Sequence, residues 1–177
     1  KEGVLDRTKA LAEALKTAGI RVELDDRDTY SAGWQFNEWE MTGMPVRLEL
    51  GPRDIEDGVA TVMRRDTLEK STLPLDGIED ALKALLDDIH ATLYRQADEF
   101  RKARTYTAVD MDSLTRGVQD GFVKAAWCGE RDCEDKIKEM TGATARNMPF
   151  DQSGMPSDAC VLCGKPAKKL MYFAKAY

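Results

Sequence analysis

The arrangement of the cysteines constrains the fold of this 177-residue chain more than any other feature of its sequence. All four lie in the last third, as two closely spaced pairs, Cys128 with Cys133 and Cys160 with Cys163, separated by residues 134–159. Each pair can place two thiolates on one turn, and a tetrahedral zinc ion takes four such ligands. The spacing therefore predicts a structural zinc site that joins two distant segments of a small unit.

Two other roles for the cysteines stay open at this point: a pair of disulfides, or a redox-active pair at CVLC. The chain carries no signal-peptide pattern at its start, which disfavours stable disulfides. Cys163 is followed by Gly-Lys-Pro, which is typical of a turn and not of the helix start that a redox pair requires. An all-cysteine zinc site leaves no ligand position for water, so we expect it to stabilise the fold.

A second informative segment is residues 33–54, which read GWQFNEWEMTGMPVRLELGPRD. A short helix is predicted up to Thr42, with Gly43 at its end. Apolar residues then alternate with Arg47 and Glu49, as in a half-buried strand, so these two side chains project from the same face. Taken alone, such an Arg-x-Glu pair is most often a surface ion pair of small energetic value.

The residue types in this segment are those that bind nucleobases. Aromatic rings stack on bases, guanidinium groups offer paired donors, and carboxylates accept from exocyclic amines. The helix must also bury one of its faces, so either Trp34 or Trp39 packs in the core, and the sequence leaves open which one. The candidate base-binding residues are Phe36, Glu40, Arg47, Glu49, Arg53 and Asp54.

Patterns along the rest of the chain predict an α/β protein with two domains. The first, over residues 1–103, has a mixed sheet, and a strand is predicted at residues 20–24. The second, over residues 104–177, is a small zinc-stabilised α/β domain. A long helix that ends near residue 104 joins the two domains.

Composition limits the classes of function. The formal net charge is −6, which argues against indiscriminate nucleic-acid binding but leaves base-specific readout possible. We expect local basic patches, with Lys9, Lys16, Arg64 and Arg65 as candidates. His90 is the only histidine, there is no glycine-rich phosphate loop, and no apolar stretch approaches the roughly 20 residues of a membrane span. We therefore expect no catalytic residues in this segment and no membrane partner.

Two groups of motifs resemble one known family. The run at 33–54, continued by VMRRDTLEK, resembles the anticodon-binding domain of prolyl-tRNA synthetases. The motifs WCGERDC, CVLCGKPA and FAKAY are similar to the zinc-containing C-terminal domain of the archaeal/eukaryotic-type members. The resemblance covers essentially the whole chain in the family's order.

The resemblance implies a cytoplasmic, homodimeric enzyme that joins proline to tRNA(Pro) with ATP and Mg²⁺ in an upstream catalytic domain. It also implies a strand just before the first helix, which this sequence lacks, and a C-terminal Tyr177 whose carboxylate packs towards the catalytic domain. Arg47 would donate to one of the two anticodon guanines, Phe36 would stack on a base, and Glu40, Glu49 or Asp54 would accept from amino groups.

Two alternatives remain open at this stage. One is a free-standing RNA- or protein-binding accessory module of similar fold. The other is a zinc-ribbon-like interaction protein that binds another protein through residues 33–54.

Overall fold

The computed structural model describes residues 2–176, which divide into two compact units at the boundary between Gln96 and Ala97. The domain boundary predicted from the sequence falls at the end of the same helix, α4 (Ile78–Ala103), which begins in the first unit and ends in the second. No helix within residues 2–176 combines the length and the apolar character needed to cross a bilayer.

The first unit contains a three-stranded antiparallel sheet flanked by helices. Its elements before α4 are α1 (Glu2–Thr17), α2 (Ala32–Met41), β1 (Val46–Glu49), α3 (Pro52–Glu56), β2 (Val59–Arg64) and β3 (Lys70–Pro74). The strand order is β1-β2-β3, and Met63 of β2 lies opposite Arg47 on one side and Lys70 on the other. Arg47 and Lys70 therefore belong to one row of side chains across the sheet.

The core of the first unit lies on the opposite face of this sheet. Ala60 and Val62 of β2 are fully buried there. Leu15 of α1 and Ile78 and Leu82 of α4 are also buried, and they cluster with Ala60. Their spacing along each helix places them on one face, so the sheet and both helices bury their apolar sides together.

The predicted strand at residues 20–24 is wrong: no strand is assigned to this segment. Its alternation has a physical basis, because Ile20 and Val22 contact the apolar core. Alternation reports that one face is buried, whereas a strand also needs a hydrogen-bonded neighbour. Without a strand at residues 20–24, the assigned sheet of the first unit contains only antiparallel pairs. A groove of about 610 Å³ is lined by this segment together with parts of α1, α2 and β1.

The second unit confirms the α/β class and contains a mixed sheet. Its elements after α4 are β4 (Thr105–Ala108), α5 (Met111–Gly117), β5 (Phe122–Trp127), α6 (Arg131–Thr141), β6 (Ala143–Asn147) and β7 (Lys169–Lys175). The strand order is β4-β5-β7-β6, with β4 and β5 parallel and the other pairs antiparallel. Strand β4 has no counterpart among the sequence predictions, although Thr-Tyr-Thr is typical of strands.

A well-buried apolar core holds the second unit together. Phe173 of β7, Val123 of β5, Leu114 of α5 and Ile137 of α6 are all fully buried and belong to one cluster. Helix α6 ends at Gly142, whose φ of 73° is the left-handed conformation that glycine adopts most easily.

Candidate nucleic-acid interface and metal centre

Helix α2 carries two of the six predicted base-binding residues, Phe36 and Glu40, and its inward side is now identified. Ser31 caps the helix by accepting a hydrogen bond from the Trp34 backbone N–H. Trp39 Nε1 donates to Asp25 Oδ2 at 2.8 Å, and Gln35 Nε2 donates to Asp25 Oδ1 at 3.0 Å. Trp39 is half-buried, whereas Trp34 is exposed. The question that the sequence left open is thus resolved: Trp39 faces inward.

Arg47 is the centre of a cluster of predicted site residues, which we call the Arg47 cluster: Phe36, Glu40, Arg47, Glu49 and Lys70. Arg47 Nε donates to Glu49 at 3.0 Å, and Arg47 Nη1 donates to Glu40 at 2.9 Å. The guanidinium carbon lies 3.7 Å from the centroid of the Phe36 ring. Three residues chosen from the sequence therefore each contact the guanidinium group of a fourth, Arg47.

Lys70 is the member of the cluster that the sequence analysis missed. Its Nζ donates to Glu49 Oε2 at 3.1 Å. Lys70 lies 21 residues further along the chain than Glu49, and only the pairing of β2 with both β1 and β3 brings the two together. Lys70 could be assigned to the cluster from the sequence only if the register of the sheet were already known.

The Arg47 cluster is accessible and retains unused donors. The Arg47 side chain is 21% exposed, and its Nη2 group has no hydrogen-bond partner among residues 2–176. The guanidinium carbon lies over the Phe36 ring at a distance that favours cation–π attraction. Chemically, the cluster can offer paired donors from Arg47 and carboxylate acceptors on either side.

Arg53 and Asp54 lie on α3, and within residues 2–176 neither makes a hydrogen bond or ion pair with the Arg47 cluster. Asp54 Oδ2 accepts from the Gly51 backbone N–H at 2.7 Å, and its Oδ1 accepts from the Thr61 hydroxyl at 3.1 Å. Asp54 therefore stabilises the start of α3 and ties it to β2. The exposed Arg53 side chain has no hydrogen-bond or ion-pair partner within residues 2–176.

Three of the four lysines and arginines expected to form basic patches are paired with carboxylates. Lys9 lies 4.0 Å from Asp26, and Lys16 donates to Glu13. Arg64 is held between Asp66 and Asp88. Neighbouring carboxylates offset the charge at these three positions, and the basic patch there stays a prediction.

The four cysteines of the second unit come together in one cluster. Their sulfur atoms all lie within 4.8 Å of one another, and all four thiols are free. Cys128 follows β5, Cys133 lies in α6, and Cys160 and Cys163 lie on a turn. The Cys128 and Cys163 sulfurs are 3.8 Å apart, far beyond the roughly 2.05 Å of a disulfide bond.

The cysteine cluster fits a tetrahedral metal ion. Zinc–sulfur bonds of about 2.3 Å place tetrahedral ligands about 3.8 Å apart, the separation found between Cys128 and Cys163. Cys128, Cys133 and Cys160 are buried, and only Cys163 is exposed. A closed set of four soft ligands from three separate segments has the chemistry of a structural zinc site.

The pKa values of the thiols describe the metal-free cluster. Burial raises the pKa of Cys128, and it raises the pKa of Cys133 to about 12. Burial also opposes ionisation of Cys160, but hydrogen bonds from the Cys163 and Leu162 backbone N–H groups outweigh it and lower the pKa to about 7. Thiolates are the form that binds zinc, so metal binding releases protons from the buried thiols.

Tyr177, the predicted C-terminal contact residue, lies outside the described residues. Its expected contact with a catalytic domain stays a prediction.

Two families match separate parts of the chain. The family described as "Anticodon binding domain" matches residues 1–85, and the family described as "Prolyl-tRNA synthetase, C-terminal" matches residues 111–177. Together with the α/β fold and the four-cysteine cluster, these matches define the chain as an anticodon-binding region of the aminoacyl-tRNA synthetase class. More particularly, the chain belongs to the prolyl-tRNA synthetase family, and it carries that family's anticodon-binding and C-terminal domains.

Curated relatives match over the full length of this chain. Proline–tRNA ligases of Alkaliphilus oremlandii and Lachnospira eligens are each 50% identical to it over 179 residues, and proline–tRNA ligase 2 of Clostridioides difficile is 46% identical. Each match covers 100% of this chain and 37% of the relative. The C-terminal match is consistent with the archaeal/eukaryotic type predicted from the sequence.

Proposed function

We propose that this region selects tRNA(Pro) by its anticodon on behalf of a proline–tRNA ligase. The observation that carries the proposal is the Arg47 cluster, in which a guanidinium, an aromatic ring and two carboxylates meet at one accessible position of the anticodon-binding unit. Ligation of proline with ATP and Mg²⁺ is assigned to the part of the complete gene product outside this chain.

The chemistry of guanine fits the cluster. A proline anticodon ends in two guanines, each of which presents two acceptors, O6 and N7, and an exocyclic amine donor. Arg47 offers paired donors to the acceptors of one guanine. Glu40 and Glu49, already aligned by Arg47, accept from amine groups, and Phe36 stacks on a base.

The ion pairs of the free protein are weak enough to be exchanged for contacts with a base. Arg47, Glu40 and Glu49 are all accessible to solvent, and accessible ion pairs are worth about 0–1 kcal/mol each. A good bidentate contact with a base is worth about 1–3 kcal/mol. The carboxylates thus orient the Arg47 guanidinium group, and a base of the RNA can still displace them.

Arg53 and Asp54 have supporting roles in this proposal. Arg53 is exposed and suited to an RNA phosphate, which positions the loop without reading its sequence. Asp54 already accepts from Gly51 and Thr61, so its main effect is to orient α3, and its remaining lone pairs are available to a base amine.

In the second unit, the proposed cofactor is a structural zinc ion held by Cys128, Cys133, Cys160 and Cys163. When bound, the ion would supply folding free energy and no reaction chemistry. We also propose that the enzyme works in the cytoplasm as a homodimer of the complete gene product, in which Tyr177 faces the catalytic domain.

The groove of the first unit is proposed to receive a strand from the segment that precedes Lys1. Its lining is largely apolar and includes Ile20, Val22, Val46 and Leu48. A strand between residues 20–24 and β1 would give the unpaired segment a hydrogen-bonded neighbour and would make the sheet mixed, as the sequence analysis expects.

The test of the anticodon proposal uses Arg47→Ala in the complete gene product. We expect weaker binding of a tRNA(Pro) anticodon stem-loop and a smaller preference over a stem-loop with one anticodon guanine replaced by adenine. The matched control is Arg95→Ala, which removes an exposed arginine of the same unit that has no role in the proposed site. If the Arg47 variant keeps both its affinity and its base preference, the proposed site is wrong.

A further inference from the structure

An exposed aromatic pair lies on the first unit, away from the Arg47 cluster. The rings of Tyr30 and Trp34 stack with their centroids 4.0 Å apart and an interplanar angle of 15°. Tyr30 is 47% exposed and Trp34 is 44% exposed. We call this pair the Tyr30–Trp34 stack. Neither residue belongs to the predicted anticodon site.

The side chains around the stack are held by ion pairs in the free protein. Arg27 donates through Nε and Nη2 to both carboxylate oxygens of Asp25, and it also donates to Glu38 on α2. The Arg27 guanidinium carbon lies 5.4 Å from the Tyr30 ring centroid and 5.6 Å from the Trp34 ring centroid. The two rings therefore form a prepared surface, which lowers the ordering cost of binding.

The position of the stack on α2 relates it to the proposed anticodon site. At about 100° per residue, Trp34 and Phe36 lie on opposite flanks of the inward side formed by Gln35 and Trp39. The outward side between these flanks includes Gly33, where an added side chain would meet no described atom within 4 Å. The outward side also carries the exposed side chain of Met41. A single-stranded loop that crosses this side would reach a ring on each flank.

We infer that the Tyr30–Trp34 stack binds a further base of the same anticodon loop, by stacking alone. The inference rests on the proposed function and extends it. Every base has a π-face, so stacking adds affinity with little sequence preference. The Arg47 cluster would then recognise the guanines, and the Tyr30–Trp34 stack would bind the neighbouring base on the opposite flank of α2.

The charges beside the stack favour a base over a phosphate as its occupant. The positive charge of Arg27 is offset by Asp25 and Glu38, so the stack presents ring surface without a net positive charge. Phosphate binding depends on unpaired cations and weakens steeply with salt. Stacking on a ring does not depend on cations, so the contribution of these rings to RNA affinity should be insensitive to ionic strength.

The experiment is a titration of the complete gene product and its variants with the tRNA(Pro) anticodon stem-loop at two salt concentrations. We expect Trp34→Ala to weaken binding by about 5- to 100-fold, with the guanine preference and the salt dependence unchanged. Trp34→Phe, which keeps a ring, should restore affinity to within about threefold of the parent. Phe150→Ala, which removes a fully exposed ring from the second unit, is the control and should change nothing.

The outcomes separate this inference from the proposed function. If Trp34→Ala binds as tightly as the parent while Arg47→Ala loses its guanine preference, the inference is wrong and the anticodon site stands. If Trp34→Ala also loses guanine preference, or if Trp34→Phe fails to restore binding, the stack is not a sequence-tolerant platform and the inference is again wrong. If Arg47→Ala has no effect, the proposed anticodon site itself fails.

A Trp34→Ala variant that binds RNA normally but loses a protein partner would assign the stack to protein binding and overturn the inference.

Discussion

The two units of this chain, close to each other in size, are stabilised in different ways. The main core cluster of the second unit contains ten buried residues, and a second cluster contains three of its cysteines. The corresponding cluster of the first unit contains only four buried residues, surrounded by partly buried ones and bordered by a groove of about 610 Å³. The second unit has a closed core and a candidate site for a structural metal ion, whereas the first unit leaves apolar side chains exposed in its groove.

Ion pairs orient many of the polar side chains of the first unit. Three of its arginines each bridge two carboxylates: Arg27, Arg47 and Arg64. Such pairs fix side-chain directions well but contribute little free energy where water reaches them. The comparison indicates that the second unit gains its stability mainly from its buried core. The first unit instead exposes polar side chains whose directions are fixed by ion pairs.

The largest expected effect concerns the metal site. Cys160→Ser should remove one of four ligands, lower bound zinc and destabilise the second unit by about 3 kcal/mol or more, since structural zinc contributes directly to folding. Metal analysis and thermal melting measure both effects. Met140→Ala, an exposed change on α6, is the control. Stoichiometric zinc with an unmoved melting curve would contradict the four-ligand site.

The next effect concerns the groove. Lengthening the chain with the residues that precede Lys1 in the complete gene product should raise the melting temperature of the first unit only. Each large aliphatic side chain buried in the groove adds about 1.5–3 kcal/mol. A polar extension of equal length is the control. Equal melting temperatures for the two extended chains would show that no strand occupies the groove.

A smaller, pH-dependent effect is expected at Asp66. Arg64 lowers the pKa of this carboxyl below its usual value, chiefly through direct hydrogen bonds. The stabilisation is therefore complete above the unfolded pKa of about 3.9 and is lost as the pH falls through the lower folded pKa. Asp66→Asn should destabilise the first unit by about 1–3 kcal/mol at pH 6, with the difference shrinking below pH 4. Denaturant unfolding at several pH values provides the measurement, and a difference that persists undiminished at pH 2 would refute the assignment.

The smallest effect separates recognition from stability at the Arg47 cluster. Arg47→Ala should change the free energy of unfolding by less than about 1 kcal/mol, because its partners are accessible to water. The same variant is expected to lose RNA affinity, as proposed above. A large loss of stability would place Arg47 among the structural ion pairs and weaken the contrast between the two units.

The sequence predicted the grouping of side chains around Arg47 better than it predicted the sheet. Phe36, Glu40, Arg47 and Glu49 come from one helix and the strand that follows it, so their grouping needed only local geometry. Residues 20–24 were predicted as a strand and are not one, and β4 was missed. Strand pairing depends on a neighbour that is distant in sequence, and local alternation carries no information about that neighbour.

The sequence by itself determined the residue chemistry: four cysteines in two close pairs, a compact set of aromatic, arginine and carboxylate side chains, and motifs that resemble one family. Only the tertiary structure decided that Trp39 faces Asp25 while Trp34 is exposed. It also brought Lys70 to Glu49 and assigned Asp54 to the start of α3. The physical reason is that periodicity reports which residues share a face, whereas packing and strand register determine what each face meets.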